Sequence, residues 1–481
     1  MTNFMYENTG FDEALKQLRN QWENMPANEA EDFYSTEIFP LVKKKFINEW
    51  SNRCSNYDYL ILSLGFSYEP LVLTILALKP KKVLFLYTPD SLKNLDVVVK
   101  ETGLMPSQFV VEEISKDDPV DIYRAIKKIY VDRWKSPKNA AIDFTGGTKA
   151  MSAGIAMAGA YFKMDLVYVA STYNSKMRKP EPGTERLEFV KNPYDVLGDL
   201  EKDKALSLFN NNEFASAFDI FYELELKAAD RNYTFMKILS NIYRAWDNLN
   251  FNEAVVKLKD LLDLMDSWRP VEGNLKALQY YEALKKQYLL ISPLRDFKND
   301  KNVFSVLKDK DKYLSLLFTI YENAARRARE RKYDTSILLL YRVLELIGQI
   351  RLARYDIDTA RPDYSKLDIP NEEVLKKMNS VLEKGMKKIN VLPENLSLLN
   401  DYILLKAIGD ELCLQLSIGN LFNISQLRNS SVYAHGYSIL SETEYVKFND
   451  LVFKILNEFC RLEEVDFKQL DNDFQFIVIN L

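Results

Sequence analysis

Two stretches of this chain set side chains at spacings that chemistry can use. The first is Asp143-Phe-Thr-Gly-Gly-Thr-Lys149. Ahead of it Ala140, Ala141, Ile142 and Phe144 make a short apolar run suited to a buried parallel strand, and Ala150 to Tyr161 behind it reads as a helix with a small-residue face. A strand that enters a helix through Thr-Gly-Gly-Thr is a phosphate-binding geometry. The glycines permit positive φ and close backbone approach, and the helix start offers unpaired N–H groups at the positive end of its dipole. Lys149 adds a charge, and Thr145 and Thr148 add hydroxyl donors. The same residues also read as a tight strand-to-helix turn whose glycines only allow packing. Neither the G-x-x-x-x-G-K-[ST] loop nor a G-x-G-x-x-G after the first strand is present.

The second stretch, Gln426-Leu-Arg-Asn-Ser-Ser-Val-Tyr-Ala-His-Gly436, holds the one histidine of the chain. Arg428 and His435 lie two helical turns apart, so a helix through this stretch would bring both to one side. An arginine with an imidazole of ordinary pKa near ~6.5, and no metal ligands, suits RNA cleavage at phosphate. The substrate's 2′-OH attacks the adjacent phosphorus and leaves a 2′,3′-cyclic phosphate and a 5′-OH. The imidazole relays protons and the guanidinium stabilises charge on the pentavalent transition state. A lone histidine in a helical region fits a structural role as well.

The bulk numbers narrow the classes. At 481 residues, with 47% apolar and 28% charged residues, the chain reads as an ordinary globular protein of about three domains. A net charge of −5 excludes a generally basic coat for nucleic acid. Three dispersed cysteines argue for a reducing compartment, and one histidine with so few cysteines argues against a zinc site of the usual ligands. No basic leader with an apolar core opens the sequence, and no apolar run reaches the ~20 residues of a membrane helix, so a cytoplasmic protein without membrane contact is expected.

The positioning elements follow from periodicity. Residues 1–56 read as lead-in helices. From Tyr57 short apolar strands (Tyr59–Leu64, Lys82–Tyr87, Phe109–Ile114, the run before Asp143, Leu166–Ala170) alternate with helices, and Arg186–Val190 reads as one more strand. That alternation predicts a doubly wound, mainly parallel α/β sheet with ligands at the carboxyl ends of its strands. Those ends carry Gly65, Phe66 and Ser67, then Thr88, then Thr145 to Lys149, and Ser171 to Tyr173. The proline-containing stretch with Arg178, Pro180 and Pro182 reads as a mobile loop. From Leu200 to Ser292 apolar spacing of three and four predicts helices only, similar to a degenerate tetratricopeptide array, and residues 293–312 read as an exposed connection. The last segment is helical too. Its basic run Arg326, Arg327, Arg329, Arg331 and Lys332 reads as a solvated face or a contact for RNA phosphates. Tyr341, Arg342, Glu345 and Gln349 share one helix face and read as an interhelical network.

With these residues in hand, the chain resembles the CRISPR-associated CARF–HEPN ribonucleases of type III systems. The resemblance rests on Asp143-Phe-Thr-Gly-Gly-Thr-Lys149 in a Rossmann-like sensor and on Arg428-Asn429 followed by His435 in a helical C-terminal domain. It implies N-terminal helices over 1–56, a CARF sensor over 57–193, an all-α linker region over 194–311 and an all-α HEPN ribonuclease domain over 312–481. It further implies a homodimer in which a cyclic oligoadenylate, a ring of four or six adenylates, is held by Gly65, Phe66, Ser67, Thr88, Thr145, Gly146, Gly147, Thr148 and Lys149. Two HEPN domains would then pair Arg428, Asn429 and His435 into one site that cuts single-stranded RNA with no metal or other cofactor. The helical insert from Leu200 to Ser292 departs from the shortest members of that family and leaves the coupling of the two ends open. Two other readings stand beside this one: a nucleotide-sensing scaffold with an inert HEPN-like dimerisation domain, and a sensor that itself degrades the cyclic ligand.

Overall fold

The computed structural model describes residues 2–481 apart from 52, 55, 298–302 and 435. The chain divides into two compact units, Met1–Asp199 and Leu200–Leu481.

In the first unit α1 (Thr2–Trp22), α2 (Ala27–Phe33) and α3 (Phe39–Trp50) precede β1 (Tyr59–Ser63). Then follow α4 (Glu69–Leu78), β2 (Lys82–Tyr87), α5 (Leu95–Thr102), β3 (Phe109–Glu113), α6 (Pro119–Lys127), β4 (Ala140–Asp143), α7 (Lys149–Tyr161) and β5 (Asp165–Ala170). A short hairpin of β6 (Tyr173–Asn174) and β7 (Lys179–Pro180), the strand β8 (Arg186–Val190) and α8 (Pro193–Leu197) complete it. The sheet runs in the order β3-β2-β1-β4-β5-β8, with β1 to β5 parallel and β8 antiparallel to β5. Residue alternation sends Leu60, Leu62, Phe85 and Val167 into one core with Trp22, Phe39 and Phe46 of the lead-in helices. Ile61, Leu84 and Ile142 enter the opposite core with Ile122, Ile126, Ile155 and Ala158. Because the chain winds outward from β1 in one direction and from β4 in the other, the switch point of the sheet lies between these two neighbours.

The mixed sheet agrees with the expected α/β class. The stretch read as a mobile loop is different: it is the β6–β7 hairpin, and the lead-in helices tie it down. Arg19 pairs with Glu181, Asn174 Nδ2 donates to Glu23 Oε1 at 2.6 Å, Lys179 Nζ donates to Glu31 Oε1 at 2.6 Å, and Lys45 Nζ donates to the Gly183 carbonyl at 2.7 Å. Lys179 and Glu181, two of the charges of this stretch, each meet an opposite charge brought from a distant segment.

The second unit is helical: α9 (Asp199–Asn210), α10 (Phe214–Lys227), α11 (Arg231–Asp247), α12 (Phe251–Trp268), α13 (Tyr281–Ile291) and α14 (Val303–Val306) lead to α15 (Lys310–Arg329) and α16 (Tyr333–Ala353). Then come α17 (Asn371–Ser380), α18 (Leu398–Ile408), α19 (Ile418–Ser430), α20 (Glu442–Leu462) and α21 (Phe467–Phe474). One continuous apolar core runs through this unit, from Phe209 and Phe221 to Phe448 and Phe459. The residues after α21 turn back onto α11, where Phe476 stacks on Tyr243 at 4.2 Å and the Tyr243 hydroxyl accepts from the Ile477 N–H at 3.2 Å. Of the segment read as an exposed connection, 298–302 lie outside the described residues, and Val306 and Leu307 are buried. Among the described residues no helix is long and apolar enough to cross a membrane, and Cys54, Cys413 and Cys460 are free thiols.

The basic run at the end of α15 is divided: Arg326 and Arg327 turn inward, and Arg329, Arg331 and Lys332 are exposed, as a solvated face would be. Arg326 is 2% exposed and donates from Nε to Asp247 Oδ1 at 2.8 Å, with its guanidinium carbon 4.0 Å from the Phe476 ring centre. Arg327 pairs with Asp247 and Glu330, Lys332 with Glu330 and Arg329 with Glu322. One aspartate at the end of α11 therefore compensates two arginines of α15. Removing it leaves a buried uncompensated charge, which costs about 3–5 kcal/mol. Asp247→Ala is expected to lower the urea-unfolding stability of the full chain by that much, and a change below about 1 kcal/mol would show that the arginines find water or another acceptor.

Candidate functional site

The first candidate site lies where β1 and β4 end side by side. The carboxylate of Asp143, the last residue of β4, is buried and accepts from the Thr145 N–H at 2.7 Å, from the Thr145 hydroxyl and from the Thr74 hydroxyl of α4. Burial pushes this carboxyl above its ordinary range, and those hydrogen bonds pull the other way. Ser63 at the end of β1 donates to the Gly146 carbonyl at 2.6 Å. The two loops then approach so closely that a β-carbon on Gly65 would lie 2.8 Å from the Gly147 nitrogen, and one on Gly146 would lie 2.6 Å from the Ser63 carbonyl oxygen. Gly147 has φ +92°, a conformation that a side chain would strain. The glycines therefore serve packing between two loops, and that packing fixes the backbone that faces outward.

The expected ligand residues fall into two groups. Thr145 Oγ1, besides donating to Asp143, accepts from the Val169 N–H at 2.8 Å. Thr148 caps α7 by accepting from the Met151 N–H at 3.2 Å and donates to the Lys116 carbonyl at 2.8 Å. Thr88 is buried at the end of β2 in a turn closed by Ser91. Their hydroxyls are engaged in building the edge. Phe66, Ser67, Gly147 and Lys149 are exposed along it, with Phe66 at 76%. Asn94, which no motif marks, donates to the carbonyls of Gly65 at 2.7 Å and Phe66 at 3.1 Å and so holds the β1 loop from the segment after β2. At the start of α7 the first-turn N–H groups and Lys149 make a positive, outward-facing edge.

The second candidate site is built on α16 and α19. The helix expected to run through Arg428 and His435 stops at Ser430, so two-turn spacing does not describe this stretch. Ser431 adopts extended backbone (ψ 146°), and its hydroxyl donates to Asp334 Oδ1 at 2.7 Å in the first turn of α16. The Val432 N–H donates to the Ser438 carbonyl at 3.0 Å and the Ser438 N–H to the Ser430 carbonyl at 2.8 Å, which closes a loop over 431–438. Asp334 also accepts from the Leu440 N–H at 3.2 Å. Gly436 lies where a β-carbon would meet the Ser430 carbonyl oxygen at 2.0 Å, so this closure requires a glycine. His435 lies outside the described residues. Its neighbours Ala434 and Gly436 both donate to the Ser431 carbonyl.

Arg428 and Asn429 occupy the last turn of α19, and Arg428 Nη1 donates to Asn429 Oδ1 at 3.2 Å. Arg326, Arg327, Arg342, Arg351 and Arg354 each meet a carboxylate. Half-buried Arg428 meets none among the described residues, and its Nε is buried without a hydrogen-bond partner. Its guanidinium carbon lies 4.6 Å from the ring centre of Tyr341 on α16. Arg342 and Glu345 pair with each other at 3.2 Å on the same helix. Asp401 of α18 is buried against Gly348 of α16, with Oδ1 unpartnered. Burial first, and then the charge of Glu345, push its carboxyl well above the ordinary range, against the pull of Arg342. The loop beside this cluster exposes Val432, Tyr433, Tyr437 and Ile439, with Tyr437 at 96%. Among the described residues no group of three or more His, Cys, Asp or Glu side chains is placed to hold a metal ion.

Comparison with known proteins bears on the second unit above all. Family models described as Csm6 HEPN domain and Csm6 6H domain match residues 306–459 and 197–291. The CRISPR system endoribonuclease Csm6 of Thermus thermophilus is 31% identical over 393 residues, which cover 79% of this chain and 80% of that protein. Among solved structures, Enterococcus italicus Csm6 bound to cyclic hexa-2′-fluoro-hexa-dAMP covers 87% of this chain and 97% of its own at 14% identity and a TM-score of 0.48. Can2 of Sulfobacillus thermosulfidooxidans in complex with cyclic tetra-adenylate covers 51% of this chain and 69% of its own at 17% identity and a TM-score of 0.22.

The buried Asp401 gives this region a pH dependence. A carboxyl whose neutral form is favoured in the fold contributes stability that is full below the ordinary value near ~4 and is lost as pH rises through the raised one. Asp401→Asn keeps the shape of the neutral acid and cannot titrate. Its urea midpoint is expected to exceed that of the wild type at pH 8, with the gap closing toward about pH 4.5; parallel pH profiles would remove Asp401 from this role.

Proposed function

The chain belongs to the Csm6 family of CRISPR-system endoribonucleases, and on that premise we propose that it is a ligand-gated ribonuclease that cuts single-stranded RNA without a metal ion. The observation that carries the reading is the half-buried guanidinium of Arg428, which meets no carboxylate among the described residues, at the end of a helix within the HEPN-matched region, a few residues before the one histidine. A guanidinium with free N–H donors suits the three oxygens of a pentavalent phosphorus. In the proposed reaction the imidazole of His435 takes the proton of the 2′-OH and returns one to the leaving 5′-oxygen, and Arg428 stabilises the charge that builds between these events. Asn429 holds the guanidinium through its carbonyl oxygen. The exposed Val432, Tyr433, Tyr437 and Ile439 around the motif support a homodimer in which two copies of Arg428, Asn429 and His435 face one RNA strand.

In this reading residues 57–193 are the sensor, 194–311 the helical linker and 312–481 the HEPN domain, in a cytoplasmic protein. The activator is a cyclic oligoadenylate of four or six units. Its phosphates meet the backbone at Gly147, the start of α7 and Lys149, along an edge that the packed Gly65 and Gly146 hold in place, and the exposed ring of Phe66 offers an adenine a face to stack on. Ser67, Thr88, Thr145 and Thr148 shape that edge. The engagement of the Thr145 and Thr148 hydroxyls within the loop disfavours a sensor that cleaves its own ligand through them.

The test is cleavage of a labelled single-stranded RNA in EDTA with cyclic oligoadenylate present. Products are expected to carry 2′,3′-cyclic phosphate and 5′-OH ends, and Arg428→Ala and His435→Ala, still folded, are expected to lose about a hundredfold or more in rate. Undiminished cleavage by either variant, or 3′-OH ends, would overturn the assignment.

A further inference from the structure

Resting on the reading of Arg428 as a catalytic group, we propose that Tyr341 is its positioning residue: the phenol ring seats the flat face of the guanidinium and leaves its positive charge and the Nη donors not taken by Asn429 for the scissile phosphate.

An arginine that acts on a substrate still has to be held in place. A carboxylate clamps a guanidinium through two of its five donors and cancels its charge, as Asp410 does to Arg351, where Nε lies 3.2 Å and Nη2 2.7 Å from Oδ2. An arginine that is to stabilise phosphate charge cannot be held in that way. An aromatic ring attracts the cation through its quadrupole, contacts only the face of the fork and takes no donor. The Arg428 guanidinium carbon lies 4.6 Å from the centre of the Tyr341 ring. Tyr341 is itself well fixed, because α16 buries Leu340, Val343, Leu344 and Ile347 in the core on either side of it.

The acids around this seat leave the arrangement intact. Glu345, one turn along α16, is paired with Arg342. Asp401 lies behind Gly348, where burial favours the neutral carboxyl. Asp334, at the start of the same helix, accepts from the Ser431 hydroxyl and the Leu440 N–H. Among the described residues the polar and ring contacts of the Arg428 guanidinium are the Tyr341 ring and Asn429 Oδ1.

Positioning through a ring separates from simple packing when ring electronics vary at constant shape. Single-turnover cleavage is to be measured under saturating cyclic oligoadenylate for Tyr341→Phe, Tyr341→Leu and a series with mono-, di- and trifluorinated phenylalanine at 341. Arg428→Ala runs alongside, and a urea melt of each protein reports folding. Tyr341→Phe is expected within about threefold of the wild-type rate, and Tyr341→Leu about tenfold or more below it at an unchanged KM for RNA. The fluorinated series should fall stepwise as the ring face loses negative charge, a trend that packing alone would not produce. A flat fluorine series overturns the proposal whether or not Tyr341→Leu folds, and so does a folded Tyr341→Leu at the wild-type rate. Full activity in Arg428→Ala would instead sink the reading on which this one rests.

Discussion

In the proposed ribonuclease the Arg428 guanidinium has to stay charged and uncompensated while half-buried, a demanding thing to place in a protein, and its surroundings on α16, α18 and α19 suit that demand. Unpaired charge inside a fold is costly, so the inward-turned arginines of this unit meet acids: Asp247 takes Arg326 and Arg327, and Asp410 takes Arg351, while the more exposed Arg354 and Arg342 pair with Glu463 and Glu345. Arg428 departs from that pattern, with its Nε enclosed and no carboxylate against it among the described residues. Glu345 and Asp334 in its neighbourhood are committed elsewhere, and burial pushes the Asp401 carboxyl toward its neutral form. What remains is a ring beneath the cation and a side-chain amide oxygen beside it.

The sheet edge of the first unit answers a different constraint with similar economy. A loop that presents backbone N–H groups to an anion has to be rigid without side chains reaching over it. Here rigidity comes from below, through the buried Asp143 carboxylate and the Ser63 hydroxyl, and from the side, through Gly65 against Gly147 and Asn94 against the β1 loop. The position follows from topology, because the switch point of the sheet lies between β1 and β4, whose following helices pack on opposite faces. The threonines that look like ligand donors serve as the internal struts of this construction.

Much of this is legible in the order of the amino acids. Apolar runs of strand length alternating with helices define the parallel sheet and its edge, and β1 to β5 and β8 fall where periodicity places them. The Gly-Gly loop and the Arg428–His435 stretch both stand out by residue type, and each also carries a structural reading, as a packing turn and as a lone histidine in a helical region. What escapes the sequence is contact between distant segments. Nothing local in Tyr341 says that Arg428 will settle on its ring, nothing in Arg178 to Pro182 says that Glu23 and Glu31 will fasten that hairpin, and nothing in the arginine run of α15 says that Arg326 and Arg327 will turn inward to Asp247 while their neighbours stay exposed. The end of α19 is hidden for the same reason, since Asp334 and Ser438 draw Ser431 out of the helix from outside the motif.

An anionic ring at the glycine edge that switches on RNA cleavage at the Arg428 site is the centre of this account. The direct measurement is the initial rate of cleavage of one labelled RNA as cyclic tetra- or hexa-adenylate is titrated into the full-length protein. The expected result is a low basal rate and a saturable rise with one of the rings, and no rise with the linear oligoadenylate of the same length. A rate that is high without ligand and unmoved by either ring would contradict it.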